Sequence, residues 1–305
     1  MNSFEEDYQP LVSIITLNYN RPEVTAAFLE SSKSLLYPHY EILVCDMASS
    51  ENPANVFDLK AYPNTRLLLS EKNLGFAGGN NWGMHHAKGD FIFIVNNDTE
   101  LTPGIIQLLL RPFSQNATIG VVCPKIKYFS DKRIIQYAGF RPMNPYTGRT
   151  SSIGDLEQDN GQYKVSGITY GAHGCAMMIK KEVIEKTGMF PEKFFLYYEE
   201  WDLSARIRKA GYKIWYQAEA TIYHKESMTI GKDNPMKVYY HTRNRILYMR
   251  RNSNPFQLLI FSFFFTFISI PKAIFFYFKT HQMQQLRWFM KGVFYNLTHN
   301  SKSTI

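Results

Sequence analysis

Residues Asn73 to Leu101 read NLGFAGGNNWGMHHAKGDFIFIVNNDTEL, and the fold turns on how they are read. A glycine-rich loop, Gly75-Phe76-Ala77-Gly78-Gly79, leads into the polar pair Asn80-Asn81. A short amphipathic run, Trp82 to Lys88, has helical spacing. An unbroken apolar run, Phe91 to Val95, then lies between Gly89-Asp90 and Asn96-Asn97-Asp98. Five apolar residues bounded by turn formers mark a strand buried on both faces. Asp98 therefore falls just past the strand's carboxyl end, where open α/β sheets place their ligands. A carboxylate beside amides at that point is a candidate for a hard cation. An ordinary Asn/Asp turn has the same local sequence.

Upstream, the apolar run Leu11 to Leu17 ends in Asn18-Tyr19-Asn20 and reads as the first buried strand. Pro22 and Glu23 then open a helix, with proline at its first position and an acid in its first turn, and Pro38 stops it. Glu41 to Cys45 is a second strand, followed by Asp46; Asn52 to Leu59 can form a helix, and Thr65 to Leu69 a third strand. This β-α-β-α-β order with short connections predicts a doubly wound, mostly parallel sheet flanked by helices. Thr16, Asn18, Asn20 and Asp46 then gather near the topological switch point, where a nucleotide would lie. For Asp46 a helix-capping or turn role is equally open.

Downstream, Thr102-Pro103 opens a helix to about Phe113, Ile119 to Cys123 is a strand, and Lys125 to Phe129 continues it at an edge. Residues 130–164 lack periodicity and read as a long connection of the kind that covers binding sites. Gly171 to Ile179 is a strand and Lys180 to Lys186 a helix. The aromatic run Phe190 to Tyr198 precedes Glu199-Glu200-Trp201-Asp202, and the helix that follows ends at Gly211. Two short strands, Lys213 to Tyr216 and Thr221 to Tyr223, lead to His224. Acids at a helix start are favoured by its dipole. Glu199 and Glu200, following aromatics, are also candidates to take a proton from a hydroxyl, with Asp202 shaping the site.

These segments resemble family 2 glycosyltransferases of GT-A fold, closest in look to bacterial rhamnosyltransferase-like and galactofuranosyltransferase-like enzymes. The likeness rests on NLGFAGGNN, the GD-strand-NNDTEL order and FFLYYEEWDLSARIRKAGY, and spans roughly residues 10 to 230. It implies a nucleotide-diphosphate sugar donor held by the residues at the first strand's end, by Asp46, by Asn73, Gly75, Gly79 and Asn80, and by Asn97. It implies a divalent metal, Mn or Mg, on Asp98 with His224 completing the shell, and Glu200 as general base of an inverting transfer. Two positions depart from the family pattern: Met47 where Asn is usual, and Glu200 where Asp is usual.

The chain has 305 residues, 45% of them hydrophobic, enough for one large domain with an appendage. The expected division is a catalytic domain over 1–233, with a nucleotide-sugar half about 10–124 and an acceptor half about 125–233, followed by a helical tail over 234–305. Cys45, Cys123 and Cys175 lie in or beside apolar runs and read as buried thiols of a reducing compartment. The acidic start MNSFEEDYQP has no apolar core, so no signal peptide is expected. Ten of the 34 Lys and Arg, and none of the 26 Asp and Glu, lie in the tail, which leaves 24 basic against 26 acidic groups before it.

The tail also carries the uncharged run Phe256 to Ile270 and an amphipathic stretch with Leu286, Phe289, Met290, Val293 and Leu297 at helical spacing. Basic and Phe-rich together, it predicts an anionic membrane surface rather than nucleic acid as partner. The expected site of action is the cytoplasmic face of a bacterial membrane, with a glycan or lipid-linked acceptor. Packing of the tail helices on the catalytic domain or on a second copy is the alternative. A non-catalytic sugar-binding member is the rival in function. A dinucleotide oxidoreductase is disfavoured, because the glycines lack the GxGxxG order and follow the third strand.

Overall fold

The computed structural model describes residues 9–225 and 234–302. Four strands form a parallel half-sheet: β1 (Val12–Asn18), β2 (Tyr40–Asp46), β3 (Thr65–Leu69) and β4 (Phe91–Val95), in spatial order β3-β2-β1-β4. The chain reverses direction across β1, so the carboxyl ends of β1 and β4 flank the switch point, as the sequence predicts. Helix α1 (Pro22–Ser32) and helix α2 (Gly75–His86) are the first crossovers.

Beyond β4 the sheet is mixed. After the two-residue β5 (Thr99–Glu100) and helix α3 (Ile105–Gln115), the chain forms β6 (Ile119–Tyr128), β7 (Ile135–Tyr137), β8 (Gly167–Thr169) and β9 (Ala176–Lys180). β9 inserts antiparallel between β4 and β6. Helices α4 (Lys181–Thr187) and α5 (Glu199–Lys209) follow, and β10 (Lys213–His224) lies parallel to β6. The expected pair of short strands is thus one strand with a register shift between Gln217 and Thr221. The core runs continuously through both halves, and all three cysteines are free and buried in it; burial pushes the Cys45 and Cys123 thiols up to about 12.

Three local expectations change. The glycine-rich stretch is not a loop but the opening of α2, because glycines let the helix lie directly on the sheet. A Cβ at Gly79 would stand 2.8 Å from Met47 Sδ, and one at Gly83 2.6 Å from Ile15. Asn52 to Leu59 forms two separate 3-10 turns, Pro53–Asn55 and Leu59–Ala61, because the Asn52 and Asp58 side chains each accept a backbone N–H two residues on and restart the chain. Thr102 does not cap α3: its hydroxyl donates to Thr221 O, and the helix begins at Ile105.

The last four helices are α6 (Pro235–Asn252), α7 (Pro255–Phe264), α8 (Ile270–Lys279) and α9 (Met283–Thr298). α7 and α8 join through a π-helical turn, Phe265–Ser269, into one helix of 25 residues, whose most apolar 18-residue stretch has mean hydropathy 2.0, long and apolar enough to cross a membrane. The π-turn lies immediately before Pro271, where it accommodates the missing N–H and the ring. Phe263, Phe267 and Phe275 on this helix are more than 60% exposed. α9 returns onto α6, where a Cβ at Gly292 would be 2.9 Å from Tyr239 O. Its amphipathic spacing therefore serves packing on one face, while Phe294 and Leu297 stay exposed.

Gly75 has φ +69°, and a Cβ there would lie 2.5 Å from the Phe195 carbonyl oxygen. Gly75→Ala should cost about 2 kcal/mol or more, read as a shift of the denaturant midpoint at unchanged slope. An unshifted midpoint would show that the contact with Phe195 relaxes freely.

Candidate active site

The ends of β1, β4 and β10 and the first turns of α2 and α5 open on one cavity of about 700 Å³. A larger one, about 860 Å³, lies among Pro10, Tyr37, Gln107, Phe113 and Lys180, away from every predicted site residue. The smaller cavity is the candidate site, because polar groups from five elements converge there.

At the switch point a chain of side chains ties the strand ends together. Asn97 Nδ2 donates to Thr25 Oγ1 (2.8 Å), and the Thr25 hydroxyl donates to Asn18 Oδ1 (2.8 Å). Asn18 Nδ2 in turn donates to Asp46 Oδ1 (2.7 Å), whose carboxylate also accepts the Ser49 hydroxyl (2.6 Å) and backbone N–H (2.9 Å). Asn20 Oδ1 accepts the Ser50 N–H. Thr25 and Ser49 escaped the sequence reading; Thr25 sits mid-helix, where a buried threonine carries no local signal. Asn18, Asn73, Gly75 and Asn97 line the cavity, and the Asp46 carboxylate is spent within the network. Thr16 is fully buried in β1, with its hydroxyl lacking a partner among the described residues. Gly79 faces Leu17 and Met47 as a packing residue, and Asn80 Nδ2 bonds back to Phe76 O within α2.

Asp98 and His224 meet at the cavity wall. Both are more than 90% buried, and His224 Nε2 stands 3.1 Å from Asp98 Oδ1. The contact is close enough for an ion pair but poorly aligned for a hydrogen bond, so Oδ1 has no hydrogen-bond donor among the described residues. Nδ1 of His224 faces Gln136 Oε1 at 2.8 Å, which fixes the ring. Gln136 belongs to β7, within the long connection, and nothing in its sequence marked it. Burial alone would lower the His224 pKa; the Cys175 sulfur and the Asp98 carboxylate outweigh it and carry it well above the usual imidazole range. Among the described residues no three His, Cys, Asp or Glu are grouped so as to hold a metal ion.

Opposite them, α5 presents the acids. Glu199 is buried and Glu200 partly exposed, and one oxygen of each, Oε2, lacks a partner among the described residues. Burial raises Glu200 to about 7 and, with the neighbouring charge of Glu200, holds Glu199 well above the carboxylate range. Two carboxyls side by side in an apolar wall share protons in this way, which suits proton transfer near neutral pH.

Asp202 is different. Its oxygens accept from Arg206 (3.1 Å), Arg251 (2.8 Å) and Asn252 (2.9 Å), and it does not line the cavity. Its pKa is lowered: burial opposes the charge, but Arg251 leads the groups that outweigh it. Asp202 fastens α5 to α6. Helix α6, assigned by sequence to the tail, also reaches the cavity through Met236 and His241, and His241 stacks on Tyr197 at 4.1 Å.

The profile of the family described as "Glycosyl transferase family 2" matches residues 13–188. The chain belongs to that family. It is 22% identical over 259 residues to an N-acetylglucosaminyl-diphospho-decaprenol L-rhamnosyltransferase of Mycobacterium tuberculosis, covering 78% of this chain and 84% of that one. It is 26% identical over 246 residues to a low-salt glycan biosynthesis hexosyltransferase of Haloferax volcanii, covering 77% and 74%. In structure it is similar to a Pyrobaculum calidifontis mannosyltransferase solved with GDP-Man and Mn2+, with TM-score 0.60 at 15% identity over 96% of this chain and 88% of the other. That last likeness is one of fold, and the fold is GT-A. The protein is a glycosyltransferase of rhamnosyltransferase-like type.

Asp202→Ala leaves Arg206 and Arg251 partly buried without their carboxylate. It should cost this glycosyltransferase about 3 kcal/mol of stability while nucleotide binding by the folded fraction persists. Chemical denaturation and calorimetry measure the two. Full stability with lost nucleotide binding would return Asp202 to the site.

Proposed function

We propose that this glycosyltransferase inverts the anomeric centre as it moves a sugar from a nucleotide-diphosphate donor to a hydroxyl of a lipid-linked glycan. It would serve cell-surface polysaccharide synthesis at the cytoplasmic face of a bacterial membrane. The observation that carries the reading is the meeting, in one cavity, of an undersatisfied Asp98 carboxylate at a strand end with the Glu199–Glu200 pair. Similarity to a rhamnosyltransferase named for a diphospho-decaprenol substrate supports the acceptor class.

The donor's nucleotide would lie over the Asn18–Asp46 network at the switch point. Asp98 and His224 fit a divalent cation, Mn or Mg. A ring nitrogen 3.1 Å from a carboxylate oxygen that lacks a hydrogen-bond donor among the described residues is a donor pair suited to either ion. A cation held there would neutralise the charge of a departing diphosphate. Glu200 takes the acceptor hydroxyl's proton as that oxygen bonds the anomeric carbon and the bond to the diphosphate breaks on the opposite face. Burial beside Glu200 favours the neutral carboxyl of Glu199 and so disfavours a second negative charge in the wall.

A panel of nucleotide sugars with Mn or Mg tests the reading. Glu200→Gln should keep nucleotide-diphosphate binding and lose transfer by roughly 10²–10⁴-fold, and Glu199→Gln should be milder. Asp98→Ala should remove metal-dependent binding while the fold persists. The base works ionised, and burial has raised Glu200 to about 7. Its kcat should therefore hold above that pH and fall about tenfold per unit below it. A flat kcat from pH 5 to 8, or an active Glu200→Gln, refutes the base.

The exposed phenylalanines, with the exposed cations Lys272, Lys279, Arg287 and Lys291 of α8 and α9, support docking on an anionic leaflet. Vesicles containing phosphatidylglycerol should float the full chain at low salt and less of it at high salt. Replacing Phe263, Phe267 and Phe275 with Ser should abolish flotation without changing nucleotide binding. Protein left in the soluble fraction at both salts would assign these helices to packing against another copy.

A further inference from the structure

The acids of α5 are preceded by a segment that does not hold itself. Phe195, Tyr197 and Tyr198 all have positive φ, at 63°, 68° and 72°. At Phe195 the chain makes a γ-turn of the rare hand, φ 63° and ψ −51°, closed by Leu196 N–H to Phe194 O at 2.7 Å. None of the three is Gly or Asn, so nothing local favours this path.

The carbonyls show what maintains it. Phe195 O accepts the N–H groups of Phe76 (2.7 Å) and Ala77 (3.2 Å) at the start of α2. Phe194 O (2.9 Å), Leu196 O (2.7 Å) and Tyr197 O (2.8 Å) all lie around one amide nitrogen, Asn244 Nδ2 on α6, whose two N–H groups the three carbonyls share. Asn244 is fully buried, and its Oδ1 accepts from Arg243 Nε at 2.7 Å, which orients the amide. Arg243 also donates to Lys193 O and Phe194 O.

We propose that Asn244 is a positioning residue for the Glu199–Glu200 pair: its amide gathers three carbonyls of the preceding turn and so fixes where α5 begins and where both carboxyls point. The inference rests on the proposed role of Glu200. It adds that α6, beyond the span matched by the family profile, governs the reactive geometry without touching substrate. Raised acid pKa values need a dry, fixed wall, and the Asn244 clamp maintains it.

The full-length chain is compared with Asn244→Ala and with Asn244→Ser, which keeps one short donor and stands in should the alanine variant not fold. The readouts are hydrogen exchange of amides 196–200, calorimetry with UDP or GDP and Mn2+, and kcat, KM and the kcat–pH profile with the donor found in the panel. The alanine variant should exchange these amides faster. It should lose about 10²-fold in kcat with nucleotide Kd and donor KM within about twofold, and shift the acidic limb of its pH profile downward as water reaches Glu200. Asn244→Ser should fall between. Wild-type kcat and pH profile in both variants overturn the inference, as do parallel losses in kcat, Kd and melting temperature. Glu200→Gln is the control: if it transfers sugar normally, the base reading falls and the inference with it. If it is dead while both Asn244 variants turn over normally, only the positioning role falls.

Discussion

A buried carbonyl with no donor costs about 1–3 kcal/mol, and the turn from Phe194 to Tyr197 carries four carbonyls that α5 and the sheet ladders do not serve. Each non-Gly residue held at positive φ adds strain of about the same order. Such a turn survives only where surrounding elements overdetermine it. Here two helices do so from opposite sides, α2 with its free N–H groups and α6 with the Asn244 amide. Gly75 is required at the α2 contact because any Cβ would strike Phe195. The glycine-rich stretch and the acidic pair, far apart in sequence, are two sides of one contact.

A second constraint acts at the switch point. Parallel strands end with their polar groups converging, and the ends of β1, β2 and β4 would drift without cross-links. The Asn97–Thr25–Asn18–Asp46 chain supplies them with side chains alone. This leaves Asp46 with little capacity for a ligand through its carboxylate, which ties β1 to the loop after β2. Asp98 is the contrasting case: same kind of position, no donor to one oxygen, and an imidazole beside it. Local sequence does not separate the two aspartates; their partners do.

The parallel half of the sheet was legible because its strands are short apolar runs with turn formers at both ends; Thr65–Leu69 and Phe91–Val95 lie where their residues predict. The antiparallel insertion of β9 was not, because ladder direction depends on a partner more than fifty residues away. Asp98, His224 and Glu200, singled out by motif spacing and resemblance, line one cavity, and the first two are in contact. Asp202 was misplaced because four residues of sequence cannot show that Arg206 and Arg251 claim its carboxylate. Gln136, Thr25 and Asn244 had no signal at all: each is a polar residue whose meaning lies wholly in what it faces.

The same reasoning bears on the division between catalytic domain and tail. Charge and composition change near residue 234, and a boundary there follows from sequence. Packing places the functional change later, between α6 and α7. α6 buries Arg243, Asn244 and Arg245, lines the cavity and receives Asp202 through Arg251. α7 and α8 bury almost nothing and turn phenylalanines outward. Between them lie only Ser253 and Asn254, the latter capping α7. The apolar helix is therefore joined to α6 by two residues, and α6 bonds the turn that precedes Glu199 and Glu200. In this architecture the exposed apolar helix and the wall that carries Glu199 and Glu200 are joined through one helix, α6.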